Sequence, residues 1–302
     1  MKSDHLKESR NIEDRRGQSY SQSSGNSNLG GGILQILLSP GSFKSKIIII
    51  LLMVLLGGGA SLGGLFGNGT SQPYQSTQVT RTNKTHVDDA DAEFVSKVLA
   101  TTEDHWHKVF QAEGRTYHEP KLVFYTGRTQ TGCGVGQASA GPFYCPTDKK
   151  IYLDMSFYKE LTTKYKASGD FAMAYVIAHE VGHHVQNELG ILGKYHRMQQ
   201  GLSEKERNAI SVRIELQADY LAGVWARSIQ DRNLLDIGDI EEAMNAAHAV
   251  GDDTLQEQAY GYSVPDSFTH GTSEQRMRWF KRGYQYGDLQ HGDTFSLSDS
   301  EL

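Results

Sequence analysis

Cysteine is scarce in this chain of 302 residues: there are two, Cys133 and Cys145, and neither belongs to a Cys-x-x-Cys pair. That argues against a zinc site built on cysteine. Basic runs are also lacking. The formal net charge is -6, and residues 1–46 carry seven Lys/Arg against four Asp/Glu, so the acidic excess lies further along the chain. That distribution argues against a nucleic-acid partner. Gly127, Gly132, Gly134, Gly136 and Gly141 crowd one stretch, but no Gly-Lys-Ser/Thr and no helical pattern follow, so a phosphate-binding loop is rejected. No internal repeat is visible.

Long apolar runs are lacking too, with one exception. Ile47 to Phe66 is 20 residues without a charge, about the length that crosses a hydrocarbon core of roughly 30 Å. Three consecutive glycines at 57–59 weaken it as a buried helix of a soluble protein. Lys44 and Lys46 precede it and the next basic residue is Arg81. The positive-inside rule then places the N-terminus in the cytoplasm and the C-terminal region outside, periplasmic or extracellular. A cleaved signal peptide fits poorly, because the leader is too long and no small-x-small site follows.

The expected organisation is a cytoplasmic, largely disordered tail (1–46), a transmembrane helix (47–66), a polar linker (67–87), a folded domain (88–287) and a polar, frayed tail (288–302). In the folded domain, Phe94, Val98, Thr102, Trp106, Val109 and Phe110 follow helical spacing up to Gly114. Leu122–Tyr125, Phe143–Cys145 and Lys150–Leu153 read as short strands. Helices are expected over 155–166, over 171–189 with Asp170 as N-cap, and after Ser203-x-x-Glu206, Asp239-x-x-Glu242 and Thr272-x-x-Gln275. Residues 190–202 read as a connector. The class is α+β, mainly helical with a small sheet. With the domain outside the cytoplasm, Cys133 and Cys145 are expected to form a disulfide.

The chemistry centres on Ala178-His179-Glu180-Val181-Gly182-His183-His184. On a helix, His179 and His183 lie four apart on one face and can bind one metal ion. Glu180 stands beside them as a general base, a combination that reads as zinc, one ion per chain. Ile177, Val181 and Val185 anchor a different face. Gly182 lets another backbone approach. His184 points about 100° away and is read as structural. A third ligand is still needed. Glu215 and Asp219 share one face of a later helix; one carboxylate can bind metal while the other orients a ligand histidine. Glu180 would take a proton from water as it attacks a carbonyl and pass it to the leaving amine. His270 is the candidate oxyanion stabiliser, with Tyr220, Tyr260 and Tyr262 as competitors.

These stretches resemble the bacterial "putative neutral zinc metallopeptidase" family of single-span membrane proteins. The likeness is carried by Asn11-Ile12-Glu13-Asp14-Arg15-Arg16-Gly17, Gly141 to Pro146, Ala174 to Gln186, Glu215 to Gly223 and Val264 to Gly271. The resemblance implies a zincin-like domain of the gluzincin kind, with Glu215 as the third zinc ligand and Asp219 behind the ligands. It also implies that the Lys150–Leu153 strand is the edge strand beside the cleft, where a peptide substrate could add. The competing functions are a non-catalytic zinc-binding envelope adaptor or chaperone, and hydrolysis of a non-peptide amide such as cell-wall material.

Overall fold

The computed structural model describes residues 1–18 and 89–302. The expected transmembrane stretch 47–66 and the linker 67–87 lie outside the described residues. Among the described residues, no helix is long and apolar enough to cross a membrane.

The apolar spacing after residue 89 folds as α1 (Asp89–Ala112), which buries Val95, Val98, Leu99, Trp106 and Phe110. Next comes a four-stranded sheet in the order β1 (Ile12–Asp14), β2 (Lys121–Tyr125), β6 (Lys150–Asp154), β5 (Phe143–Cys145). β1, β2 and β6 are parallel and β5 is antiparallel to β6. β2 and β6 are buried on both faces, so each reads as a nearly continuous apolar run rather than an alternation.

The strand expected at the edge is therefore interior. The turn at Pro146–Lys149, with Lys149 at φ 55°, folds β5 back onto β6. Phe143 stacks on Tyr152 with ring centroids 5.1 Å apart. β5 is the edge strand instead. The glycine-rich stretch is a second, two-stranded sheet of β3 (Arg128–Thr131) and β4 (Gly134–Gln137). The Cys133–Cys145 disulfide, with Cα atoms 5.9 Å apart, ties that hairpin to β5.

Both expected tails pack on the domain as far as they are described. Residues 1–18 contribute β1, and the Met1 ammonium lies 2.9 Å from Asp170 and 3.2 Å from Asp239. The expectation of a loose N-terminal tail is thus corrected for these residues: their polar side chains find buried or charged partners that composition does not reveal. At the other end, the guanidinium of Arg213 donates to the carbonyls of Thr294 and Leu297, Phe295 stacks on Tyr195 and Leu302 is buried. The frayed tail expected from 288 is corrected accordingly.

The helical part comprises α2 (Ser156–Thr163), α3 (Asp170–Glu188), α4 (Ile191–Met198), α5 (Glu204–Asp231), α6 (Asp239–Ala249), α7 (Asp252–Tyr260) and α8 (Ser273–Tyr286). α4 and α7 were not anticipated. Capping boxes open α5 and α8 at Ser203/Glu206 and Thr272/Gln275 as expected. The start of α3 differs. Its N-cap is Gly169 at φ 103°, and the Phe171 N–H donates to the carboxylate of Glu242 on α6. A distant acid thus takes the capping role expected of Asp170.

α3 carries the histidines and is almost wholly buried through Gln186. It crosses α5 where a Cβ on Gly182 would sit 2.9 Å from the carbonyl oxygen of Ala218. α5 and α8 approach the same way: a Cβ on Gly283 would meet the Tyr220 carbonyl oxygen at 1.9 Å. Gly182→Ala should therefore destabilise the fold by about 1–3 kcal/mol, although helix propensity alone would gain about 1 kcal/mol. Gly193→Ala, whose Cβ would meet only the end of the Arg197 side chain at 3.5 Å, is the neutral or stabilising control. Denaturant melts of the two variants check the contrast.

Candidate metal centre

The α3–α5 crossing brings three side chains to one point. His179 Nε2 lies 3.1 Å from Glu215 Oε2, and His183 Nε2 lies 3.4 Å from Glu215 Oε1. One donor atom from each residue falls within 4.8 Å of the others, and all three residues are buried. Donors at zinc-like bond lengths in a tetrahedral shell stand about 3.3 Å apart, so this set fits that ion.

The far nitrogens of both imidazoles are held. Asp219 Oδ1 is 2.8 Å from His179 Nδ1, and Gln186 Oε1 is 2.9 Å from His183 Nδ1. Each contact favours a proton on Nδ1 and turns the Nε2 lone pair toward the shared point. Gln186 is itself fixed, its amide donating to the Ile214 carbonyl and to Gln217 Oε1. Asp219 has 0% exposure and accepts a hydrogen bond of 2.6 Å from Tyr175. It also accepts a pair from Arg276, 2.8 Å from Nε and 3.0 Å from Nη2. Arg276 reaches it from α8, placed by the close α5–α8 contact.

Burial opposes every charge in this group. Burial works against a charged Asp219, but Arg276 first and His179 next hold its carboxyl down at about 2. Burial likewise opposes a charged Glu215, while the His183 and His179 imidazoles hold it well below the carboxylate range. Burial pushes the Glu180 carboxyl up, partly offset by His179, His183 and a backbone hydrogen bond from Tyr144. Against the pull of burial, Asp219 and Glu215 in turn push the His179 imidazole up to about 10, so two carboxylates face a guanidinium and an imidazolium. A divalent cation held by the same donor atoms would take the place of that imidazole proton.

The centre floors a cleft of about 360 Å³. Glu180 and His270 line it, together with Phe157, Tyr165, Val176 and Leu255. His270 is held by Asp252, whose Oδ1 lies 3.2 Å from its Nδ1. Asp252 Oδ2 also accepts the backbone N–H groups of Thr269 and His270 at 2.6 Å each.

A family model described as "Putative neutral zinc metallopeptidase" matches residues 1–295. The chain belongs to that family. It is similar to the "Uncharacterized protein YpfJ" of Escherichia coli strain K12, with 50% identity covering 97% of this chain and 98% of that protein. It is also similar to the "Uncharacterized protein Rv2575" of Mycobacterium tuberculosis strain H37Rv, with 44% identity covering 61% of this chain and 64% of that one. No solved structure matches it.

For this family member, the structure brings together His179, Glu180, His183, Glu215, Asp219 and His270. It separates the other oxyanion candidates. Tyr220 points away toward Asp288, while Tyr260 and Tyr262 are exposed and do not line the cleft. His184 is buried between the Tyr144 hydroxyl at 3.0 Å and the His118 carbonyl at 2.6 Å; burial first, offset in part by the His118 carbonyl, pushes its imidazole down to about 4. With Asn187, whose side-chain amide donates to the Tyr144 hydroxyl, it fastens β5 over α3.

Arg276, Tyr175, Asp252 and Gln186 were not assigned from sequence. Only the i, i+3 spacing of Gln186 from His183 offered a signal. Arg276→Met should leave Asp219 buried without its cation, costing about 3–5 kcal/mol of stability, and should weaken zinc binding about 10–100-fold. Chelator competition at a temperature well below the melting transition checks the second figure.

Proposed function

We propose that this chain is a zinc-dependent metallopeptidase. It hydrolyses peptide bonds in protein or peptide substrates, from a zincin-like domain held at a membrane and acting outside the cytoplasm. The observation that carries this reading is Glu180, a buried carboxylate that lines the cleft but stands outside the ligand set. A purely structural metal site has no use for such a group. The disulfide supports an oxidising compartment.

His179, His183 and Glu215 would hold the zinc, which when bound supplies Lewis acidity to a water and to a substrate carbonyl. Glu180 accepts a proton from the attacking water and returns it to the leaving amine. Its raised carboxyl suits a group that must both take and give a proton. His270, with Nδ1 engaged by Asp252, has its other ring nitrogen left to donate to the oxygen that gains charge. β5, at the end of the sheet, offers backbone groups to an extended peptide, and Tyr144 joins that strand to Glu180. Phe157, Tyr165, Val176 and Leu255 favour apolar substrate side chains.

Glu180→Gln should retain about one zinc per chain and lose turnover by roughly 10²–10⁴-fold. Metal analysis beside a peptide-cleavage assay measures both; cleavage at the wild-type rate would sink the mechanism. An envelope function that survives the same substitution would favour the non-catalytic adaptor. His270→Ala should lower kcat by about 10²–10³-fold with little change in KM, which steady-state kinetics on one peptide will show. Chelation should abolish cleavage, and added zinc should restore it.

A further inference from the structure

We infer that residues 1–18 and 89–302 fold together in one compartment, on the oxidising side, so that the N-terminal segment accompanies the domain instead of remaining across a membrane from it. Strand pairing carries the inference. Ile12, Glu13 and Asp14 stand opposite Leu122, Val123 and Phe124 in the parallel β1–β2 ladder. Backbone bonds extend it at both ends: the Leu122 N–H donates to the Asn11 carbonyl and the Arg15 N–H to the Phe124 carbonyl, each at 2.8 Å. Further upstream, the Ser9 N–H donates to the Ser96 carbonyl at 3.2 Å and the Lys2 N–H to the Leu234 carbonyl at 2.8 Å.

Side chains fasten the same segment to separate parts of the domain. Lys7 pairs with Asp104 on α1 and Lys150 on β6 pairs with Glu13, both at 2.7 Å. Asn11 donates to Glu119 at 2.6 Å, and Arg15 donates to the Gln130 carbonyl on β3 at 2.9 Å. The segment thus runs from the end of α5, along α1, to the sheet. Withdrawing it through a bilayer would strip a strand from β2, whose residues after Lys121 are buried, and leave an apolar edge open.

Charge within residues 1–18 does not oppose this placement; the cytoplasmic bias comes from Lys44 and Lys46 beside the apolar run. Residues 1–18 hold five Lys/Arg and four Asp/Glu, and Lys7, Arg15 and Arg16 are already paired with acids. The segment is nearly neutral, so the charge bias that retains a flank in the cytoplasm is weak there. Cys133–Cys145 places the domain on the oxidising side, and β1 goes with it. The sharing of a compartment rests on the β1 contacts alone. Its sidedness rests on the extracytoplasmic reading given above.

The test places single cysteines in the full chain at two exposed positions, Glu8→Cys and Gln200→Cys, expressed in a Gram-negative host. Spheroplasts are treated with a membrane-impermeant maleimide before and after lysis. Mass spectrometry of the Cys133–Cys145 bridge reports that each variant has folded. Both positions should label to the same extent in intact spheroplasts as after lysis. Labelling of Glu8→Cys only after lysis, with Gln200→Cys labelled beforehand, overturns the inference. Labelling of both only after lysis overturns the sidedness and the extracytoplasmic assignment together, while zinc binding and peptide cleavage by the purified chain judge the metallopeptidase reading separately.

Discussion

The backbone of Gly182 on α3 lies against the backbone of Ala218 on α5, and the candidate metal centre depends on that approach. A Cβ at 182 would stand 2.9 Å from the Ala218 carbonyl oxygen. The residues three before and one after each of these two positions are the ones that carry the chemistry. His179 and His183 flank Gly182, and Glu215 and Asp219 flank Ala218. Side-chain reach is short compared with the spacing of ordinary packed helices, about 8–10 Å. A close crossing is what allows a glutamate on one helix to touch both histidines of the other, at 3.1 and 3.4 Å. Glycine at this position lowers helix propensity, and ligand convergence is what that cost allows.

A second constraint is electrostatic. Asp219 is buried beside His179 and needs a cationic partner that could not itself bind a metal. Arg276 provides it from α8, a helix brought close by its own glycine contact with α5. The guanidinium cannot lose its proton and cannot ligate metal. It therefore neutralises Asp219 and leaves Glu215 as the carboxylate that faces both histidines. The same arrangement holds the imidazole of His179 in one orientation through Asp219, as ligand-orienting carboxylates do.

The sheet divides its edges between two tasks. β1 closes the edge remote from the cleft with a strand drawn from the N-terminus, and β5 ends the sheet near the cleft. β5 is held from three directions. It pairs with β6, it is tied to the β3–β4 hairpin by Cys133–Cys145, and His184 and Asn187 on α3 bond its Tyr144 hydroxyl. A strand fastened in this way can present its backbone at a constant height over Glu180. The histidine adjacent to the metal pair thus serves the site by positioning its wall.

Much of the metal centre was legible in the sequence because it is local. Residues four apart on a helix share a face whatever surrounds them, so His179 with His183, and Glu215 with Asp219, were pairs before any tertiary contact was known. The capping boxes of α5 and α8 were equally local. The edge strand, the cap of α3 and the order within both tails were not, because each depends on a partner far along the chain. β5 takes the edge through its turn onto β6, Glu242 supplies the cap from another helix, and β1 pairs with β2 more than 100 residues away. The sequence by itself determined the donor atoms and their helical spacing, since helix geometry repeats every few residues. Tertiary structure alone decided which carboxylate reaches the histidines, that Arg276 backs Asp219, and which strand faces the cleft. Those outcomes depend on how closely helices cross and how strands register, which no local spacing encodes.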